Sequence, residues 1–383
     1  MKNPIPNILV FATLLFSPSA VACTSAIVAA SANPYGRPML WKHRDTSAID
    51  NKIEYIPSKE GSFAYVALFN ADDRNCSQAW TGMNEAGFAV MNTASYNLKD
   101  DNVAASKMDR EGYLMTAALR SCRTVDDFDA LLRKMPKPLG VEANFGVIDA
   151  EGNGAYFETN NHSFTRFDLG DAPDGLLIRS NYSHSGRKGE GLGHTREANA
   201  EHILRPYARE GMLSADVLTE VASRSFYRDI SGKDYSKGDE RIIPDVDFIP
   251  RYKSTATIVI EGMVPAENAA DVSPKEVASQ YVMWTGLGYP PCADIFGVWC
   301  SPEGVDSSLR GIGAKGHSPQ GDLVKSRRDD VFGSSPDSNI PYVDLGKLFN
   351  RSGTGYAQIT GKGNKAVYEK IRRTRDGKPL QPK

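Results

Sequence analysis

Cys23 stands directly behind Ala20-Val21-Ala22, and this junction constrains the chain more than any other feature. Lys2 makes a thin positive start, residues 8–16 form a short apolar stretch, and Pro18 and Ser19 break it. Ala20 and Ala22 then supply a small-x-small cleavage pattern. Such a segment predicts a secretory leader over residues 1–22, removed on export to the periplasm or medium, not a membrane anchor. The exported chain would begin at Cys23, with a thiol and an α-amine on one residue. An α-amine has a reference pKa of about 7.7–8.0, so near neutrality it can take the thiol proton. Nucleophile and base then share a residue. Two plainer readings compete. One is a lipid-modified cysteine, although a lipobox places Leu where Ala20 stands. The other is a cysteine that merely follows the cut and packs inside.

Past Cys23 the chain reads as strands. Residues 24–32 (TSAIVAASA) and 38–45 (PMLWKHRD) flank the turn Asn33-Pro34-Tyr35-Gly36, a hairpin that brings Lys42, Arg44 and Asp45 back beside Cys23. Residues 62–69 form another strand. In TGMNEAGFAVMNTASYN two alternating runs flank Asn84-Glu85-Ala86-Gly87, where Gly87 can supply a positive φ. Leu114, Met115, Ala118 and Leu119 recur at helical spacing within residues 109–121, and Thr124 with Asp127 opens a second helix as a capping box. Strands are expected at residues 144–150, 154–159, 176–182, 255–261 and 281–285. A helix is expected at residues 195–209, with Ala198, Ile203 and Leu204 inward. The Gly-rich run 186–193 reads as a mobile loop over a pocket. From about residue 305 the chain is polar, with weak patterns beyond residues 342–349 and a basic helix near Tyr368. No repeat or Pro-rich linker divides residues 23–383, so one domain of two sheets with flanking helices is the simplest architecture.

The net charge of −2 over 383 residues calls for no nucleic acid and no anionic membrane. Beyond the leader no apolar run is long enough to span a bilayer. Of the five cysteines, Cys76, Cys122, Cys292 and Cys300 either pair after export, as Cys292–Cys300 with Cys76–Cys122, or remain four buried thiols. No Cys-x-x-Cys or paired-His pattern supports a metal, and no cofactor is expected. A Gly-x-Ser-x-Gly elbow is missing, and GEGLG before His194 lacks the strand and acidic residue of a dinucleotide site. Trp41, Tyr96, Tyr182 and Trp284 read mainly as core, some of them as pocket wall.

Taken in order, CTSAIVAAS, GRPMLWKHRD, GMNEAGFAVMN, NFGVIDAEG, RSNYS, a Thr-Arg helix start and MWTGLGYPPC resemble the linear-amide branch of the N-terminal nucleophile hydrolases. That branch holds the choloylglycine hydrolases (bile salt hydrolases and penicillin V acylases), the penicillin acyltransferases and certain dipeptidases. The resemblance spans about residues 23–300. It implies an α+β fold, a four-layer αββα sandwich with the nucleophile at the start of a central strand. It also implies a small-molecule acyl amide substrate cleaved through an acyl-thioester. Hydrolysis and acyl transfer stay open, as does a non-catalytic lipoprotein or binding module on the same scaffold.

The site roles follow from the resemblance. Cys23 attacks the carbonyl, and Asp45 holds its amine. Lys42 stands where the family usually has Arg, three residues before that Asp, and Arg44 is the alternative cation. Strand alternation sets Arg44 and Lys42 off the face of Asp45, so a twist or bulge is needed to gather them. Asn181 is the expected oxyanion donor, Asn92 lies near the other contributor, and Arg196 supports the site electrostatically.

Overall fold

The structure, a computed structural model, describes residues 22–265, 272–334 and 340–376. The leader expected at residues 1–22 lies outside the described residues, Ala22 excepted. Along the chain come β1 (Cys23–Val28), β2 (Met39–Asp45), β3 (Asn51–Ile56), β4 (Tyr65–Asn70), β5 (Thr81–Asn84) and β6 (Ala89–Ala94). Helices α1 (Glu111–Ser121) and α2 (Val125–Lys134) follow. Then come β7 (Ala143–Ile148), β8 (Gly154–Thr159), β9 (Phe164–Asp168), β10 (Leu176–Arg179) and α3 (His194–Arg209). The short strands β11 (Tyr227–Arg228), β12 (Lys233–Asp234) and β13 (Ile242–Pro244) lead to β14 (Ser254–Glu261), α4 (Pro274–Gln280), β15 (Val282–Leu287) and β16 (Phe296–Val298). The chain closes with α5 (Pro319–Val331), β17 (Phe332–Ser334), β18 (Pro341–Asp344), α6 (Leu345–Leu348) and α7 (Tyr356–Asp376).

Two antiparallel sheets dominate. One has the order β10-β1-β2-β14-β15-β16, the other β3-β4-β5-β6-β7-β8-β9. Strand periodicity explains how they stack. On the first sheet Ile27, Leu40, Ile258 and Met283 point inward and meet Val66, Leu68, Met91 and Tyr156 of the second. The alternate residues Ala26, Val28, Trp41 and Trp284 point outward against Leu204 of α3 and Tyr368 of α7. On the second sheet the alternates Phe69, Val90, Phe145 and Phe157 pack on Leu114 and Leu119 of α1 and Phe128 of α2. The layers are therefore helix, sheet, sheet, helix, the expected αββα sandwich, and β1 is an interior strand of its sheet.

Local chemistry accounts for the junctions. Thr124 Oγ1 accepts the Asp127 N–H at 3.1 Å, and Asp127 returns a bond to the Thr124 N–H, the capping box that starts α2. Gly87 turns β5 into β6 at φ +86°, and a Cβ there would lie 2.8 Å from the Ala150 and Val277 side chains.

Several expectations are corrected. The strand expected at residues 62–69 is β4, and the one at 176–182 is β10, which stops at Arg179. Strands β3 and β9 were not expected. The buried face of α3 carries Arg196, Glu197, Asn199, Ala200, Leu204 and Ala208, not Ala198, because this helix covers a polar site as well as core. The weakly patterned tail is packed: α7 places Tyr368 against Trp284, and Arg375 bonds buried Glu261 at 3.0 Å. All five cysteines are free thiols, so the paired reading of Cys76, Cys122, Cys292 and Cys300 gives way to the unpaired one. Three of those four are buried in separate neighbourhoods: Cys122 under α1, Cys292 in the α5–α6 core, and Cys300 between the sheets.

Candidate active site

The β1–β2 ladder is unbroken and pairs Cys23 with Arg44, Thr24 with His43 and Ser25 with Lys42. On β2, Leu40 still belongs to the inter-sheet core, while Lys42 and Arg44, the next inward positions, are charged. Charges replace hydrocarbon there because the sheets part into a cleft of about 760 Å³. Its wall includes Cys23, Lys42, Arg44 and Asn92, the aromatics Trp80 and Tyr96, and the apolar Val103 and Met108. Glu111 at the start of α1 faces it too.

Four of the seven residues expected at the site thus share the cleft. The Lys42 Nζ donates to Trp80 O at 2.7 Å and to Asn92 Oδ1 at 2.6 Å. Burial pulls its pKa down to about 7. Arg44 is held by Asn51 Oδ1 and by Asn70 Oδ1, the latter at 2.7 Å, with its guanidinium 5.1 Å from the Trp80 ring centre. Burial lowers it too, to about 10.

Of the other three, Asn181 and Arg196 lie around the backbone of Cys23, and the Asp45 carboxylate does not hold the Cys23 nitrogen. Asn181 Oδ1 accepts the Cys23 N–H at 2.8 Å. Arg196, buried on α3, donates to Cys23 O at 2.5 Å, to Thr24 Oγ1 at 3.0 Å and to Asn181 Oδ1 at 2.7 Å. Asn181 Nδ2 donates to Ala94 O at 2.8 Å, and Asn181 does not line the cleft. Its amide oxygen serves the Cys23 nitrogen, a different placement from the oxyanion contact expected. Asp45 obeys strand alternation and turns with His43 to the outer face. Its carboxylate accepts from Arg251 at 2.5 and 3.0 Å and from Ser254 Oγ at 2.6 Å, and His43 Nε2 lies 3.5 Å away. Only its carbonyl approaches the thiol, at 4.0 Å from Cys23 Sγ. The twist or bulge expected to gather Lys42 and Asp45 at the thiol is not found in the β1–β2 ladder; the register slips instead on β14, between Ser254 and Ala256 opposite Asp45 and Arg44. Burial drives His43 down to about 4, so it is neutral near pH 7.

Sequence reading missed Arg251, which neutralises Asp45 from a loop before β14 and has no local pattern to mark it. It also missed Glu111 and Trp80. The Gly-rich run 186–193 does not line this cleft. The isolated bridge Asn181–Leu192 pins its end, and Arg187 N donates to Asn97 O at 3.0 Å. Of the four aromatics, Trp41 and Trp284 are core, Tyr96 lines the cleft, and Tyr182 bonds Glu197 at 2.7 Å beside His194. One group of metal-ligating types, Asp50, His317 and Asp322, occurs among the described residues. Its members already pair with one another, and Lys325 neutralises Asp50 at 3.0 Å.

Glu111 is only 8% exposed, and burial raises its carboxyl from 4.5 to about 7. The folded chain then holds this proton more tightly than the unfolded one. Its contribution to stability is full below about pH 4.5 and is lost as pH rises through 7. Glu111→Gln should escape that loss. Relative to wild type it should gain on the order of 3 kcal/mol between pH 4.5 and 8, read by urea melts at both ends. An equal difference at both pH values would show that Glu111 does not titrate this way.

No family model matches the chain, and no curated protein matches it. Solved structures align with it weakly. An N-acylethanolamine-hydrolyzing acid amidase ortholog of Caenorhabditis elegans is 14% identical with a TM-score of 0.42, over 66% of this chain and 98% of that one. A variant of the conjugated bile acid hydrolase of Clostridium perfringens is 12% identical with a TM-score of 0.41, over 72% and 92%. Penicillin V acylase of Agrobacterium tumefaciens is 13% identical with a TM-score of 0.38, over 72% and 86%. The fold stands on the strand order and register above, and the reading of the site on its contacts.

Proposed function

We propose that the exported chain, cut after Ala22, is a cysteine amidase that cleaves a linear amide C–N bond of a small acyl amide. The observation that carries this is the position of Cys23. It is the first residue of an interior strand, its side chain opens on a cleft beside the buried Lys42 and Arg44, and its nitrogen is held by Asn181 under Arg196. In this reading the sulfur attacks the amide carbonyl, the C–N bond breaks, the amine leaves, and water releases the acid from the thioester. Trp80, Tyr96, Val103 and Met108 offer an apolar wall for the acyl chain.

A panel of N-acyl amides of graded chain length, with thioester trapping by mass spectrometry, tests the proposal. An acyl adduct on Cys23 at a free N-terminus supports it. A diacylglyceryl group on Cys23, or a leader still attached in the exported protein, overturns it. Asn181→Leu should lower kcat by about 10²-fold with KM nearly unchanged, since it touches the nucleophilic residue and not the acyl wall. An effect confined to KM would assign Asn181 to substrate binding instead.

A further inference from the structure

If Cys23 is the nucleophile, its thiol proton must be taken up before attack, and the sequence assigns that task to the α-amine. A second group is built for it. The Lys42 side chain is buried, and its nitrogen donates to two oxygens, Trp80 O and Asn92 Oδ1. A neutral amine has two N–H bonds and one lone pair, so these acceptors occupy both hydrogens. An ammonium has a third hydrogen to place, and no carboxylate pairs with Lys42 among the described residues. Across the β1–β2 ladder Cys23 faces Arg44, and Lys42 is the diagonal neighbour on the same face. Diagonal backbone positions lie about 7–8 Å apart, a span that a lysine side chain covers. Both residues line one cleft.

We propose that Lys42, as a neutral amine, accepts the Cys23 thiol proton and then delivers it to the leaving nitrogen. The inference rests on the reading of Cys23 as nucleophile. The S–H bond breaks as the Lys42 N–H forms, and the sulfur pair makes the C–S bond. As the C–N bond breaks, the departing nitrogen takes the proton from the Lys42 ammonium. Water then attacks the thioester and gives its proton to Lys42. The C–S bond breaks, and the thiolate takes that proton back.

The surroundings suit the exchange. Burial is the largest influence on Lys42 and favours the neutral form, and Arg44 on the same strand adds to it. The Cys23 thiolate on β1 and Glu111 on α1 act the other way, steadying the ammonium once the proton has crossed. An arginine in this place would hold its charge throughout and could accept no proton.

The experiment is the pH dependence of Cys23 alkylation by iodoacetamide in the processed full-length protein, for wild type, Lys42→Arg and Lys42→Gln. Circular dichroism confirms that each variant is folded. In wild type the rate should inflect near pH 7, where burial places the Lys42 amine. Lys42→Arg should shift that inflection by about one pH unit or more, because a fixed cation stabilises the thiolate without exchanging a proton. Lys42→Gln should slow alkylation at neutral pH by on the order of 10²-fold. If all three proteins share one profile, Lys42 is not the acceptor and the α-amine regains the role. If Cys23 in wild type reacts no faster than Cys76, the nucleophile assignment itself falls, a separate failure.

Discussion

Cys23→Ala should abolish turnover of any N-acyl amide that the wild type hydrolyses, with kcat lower by on the order of 10⁴-fold or more. The loss falls on kcat because the sulfur makes the bond that defines the intermediate, while the acyl wall is untouched. The fold should survive. The thiol makes one long contact, to Asp45 O at 4.0 Å, and the strand is held by its backbone ladder to β2 and β10 and by Arg196 at the Cys23 carbonyl. A steady-state assay beside a thermal melt checks both halves. Turnover near the wild-type level would remove the proposed chemistry, whereas a collapsed melt would show that Cys23 is a packing residue.

The second large effect is on stability. Glu158 of β8 and Arg179 of β10 form an ion pair at 2.6 Å with side chains 0% and 2% exposed, bridging the two sheets. Glu158 also accepts the His184 and Ser185 N–H groups at 2.9 and 2.7 Å, so it anchors the chain beyond Asn181. Glu158→Ala leaves a guanidinium buried without its counter-charge, a change that costs about 3–5 kcal/mol. It acts close to the site, since Ser25 Oγ bonds Arg179 O at 3.2 Å on the strand of Cys23. Urea unfolding measures the loss. A change below about 1 kcal/mol would mean that Arg179 is rehydrated and the pair is not the clamp described.

The features legible in the sequence were those with a local cause. The hairpin from Cys23 to Asp45 follows from two strand-forming runs about a turn, and Gly87 and the Thr124–Asp127 box act within a few residues of themselves. Alternation along Lys-His-Arg-Asp already separated Lys42 and Arg44 from Asp45, and the outer-face network of His43, Ser254 and Arg251 is the result. What stayed hidden comes from distant partners. Arg251 meets Asp45 across 206 positions of chain, and Glu111, the first residue of α1, lines a cleft whose other walls come from strands far from it in sequence. Strand β3 does alternate, Lys52 and Glu54 against Ile53 and Tyr55 of the inter-sheet core, but the run is too short to mark a strand on its own. In α7 the glycines at 361 and 363 dilute a helical pattern that the contacts of Tyr368 and Arg375 complete.

The sheet that carries Cys23 joins distant parts of the chain, from β1 to β16. Strand β2 lies between β1 and β14, so Lys42 aligns with Ile258, and α7 seals the outer side. Pairings of such long range form late, because the intervening loop must close first. While the chain emerges, Cys23 is therefore an ordinary cysteine on an unfinished edge. The groups around Cys23 are gathered from β2, β6, α1 and, as far along the chain as Arg196, α3, so its surroundings belong to a chain that has folded at least that far.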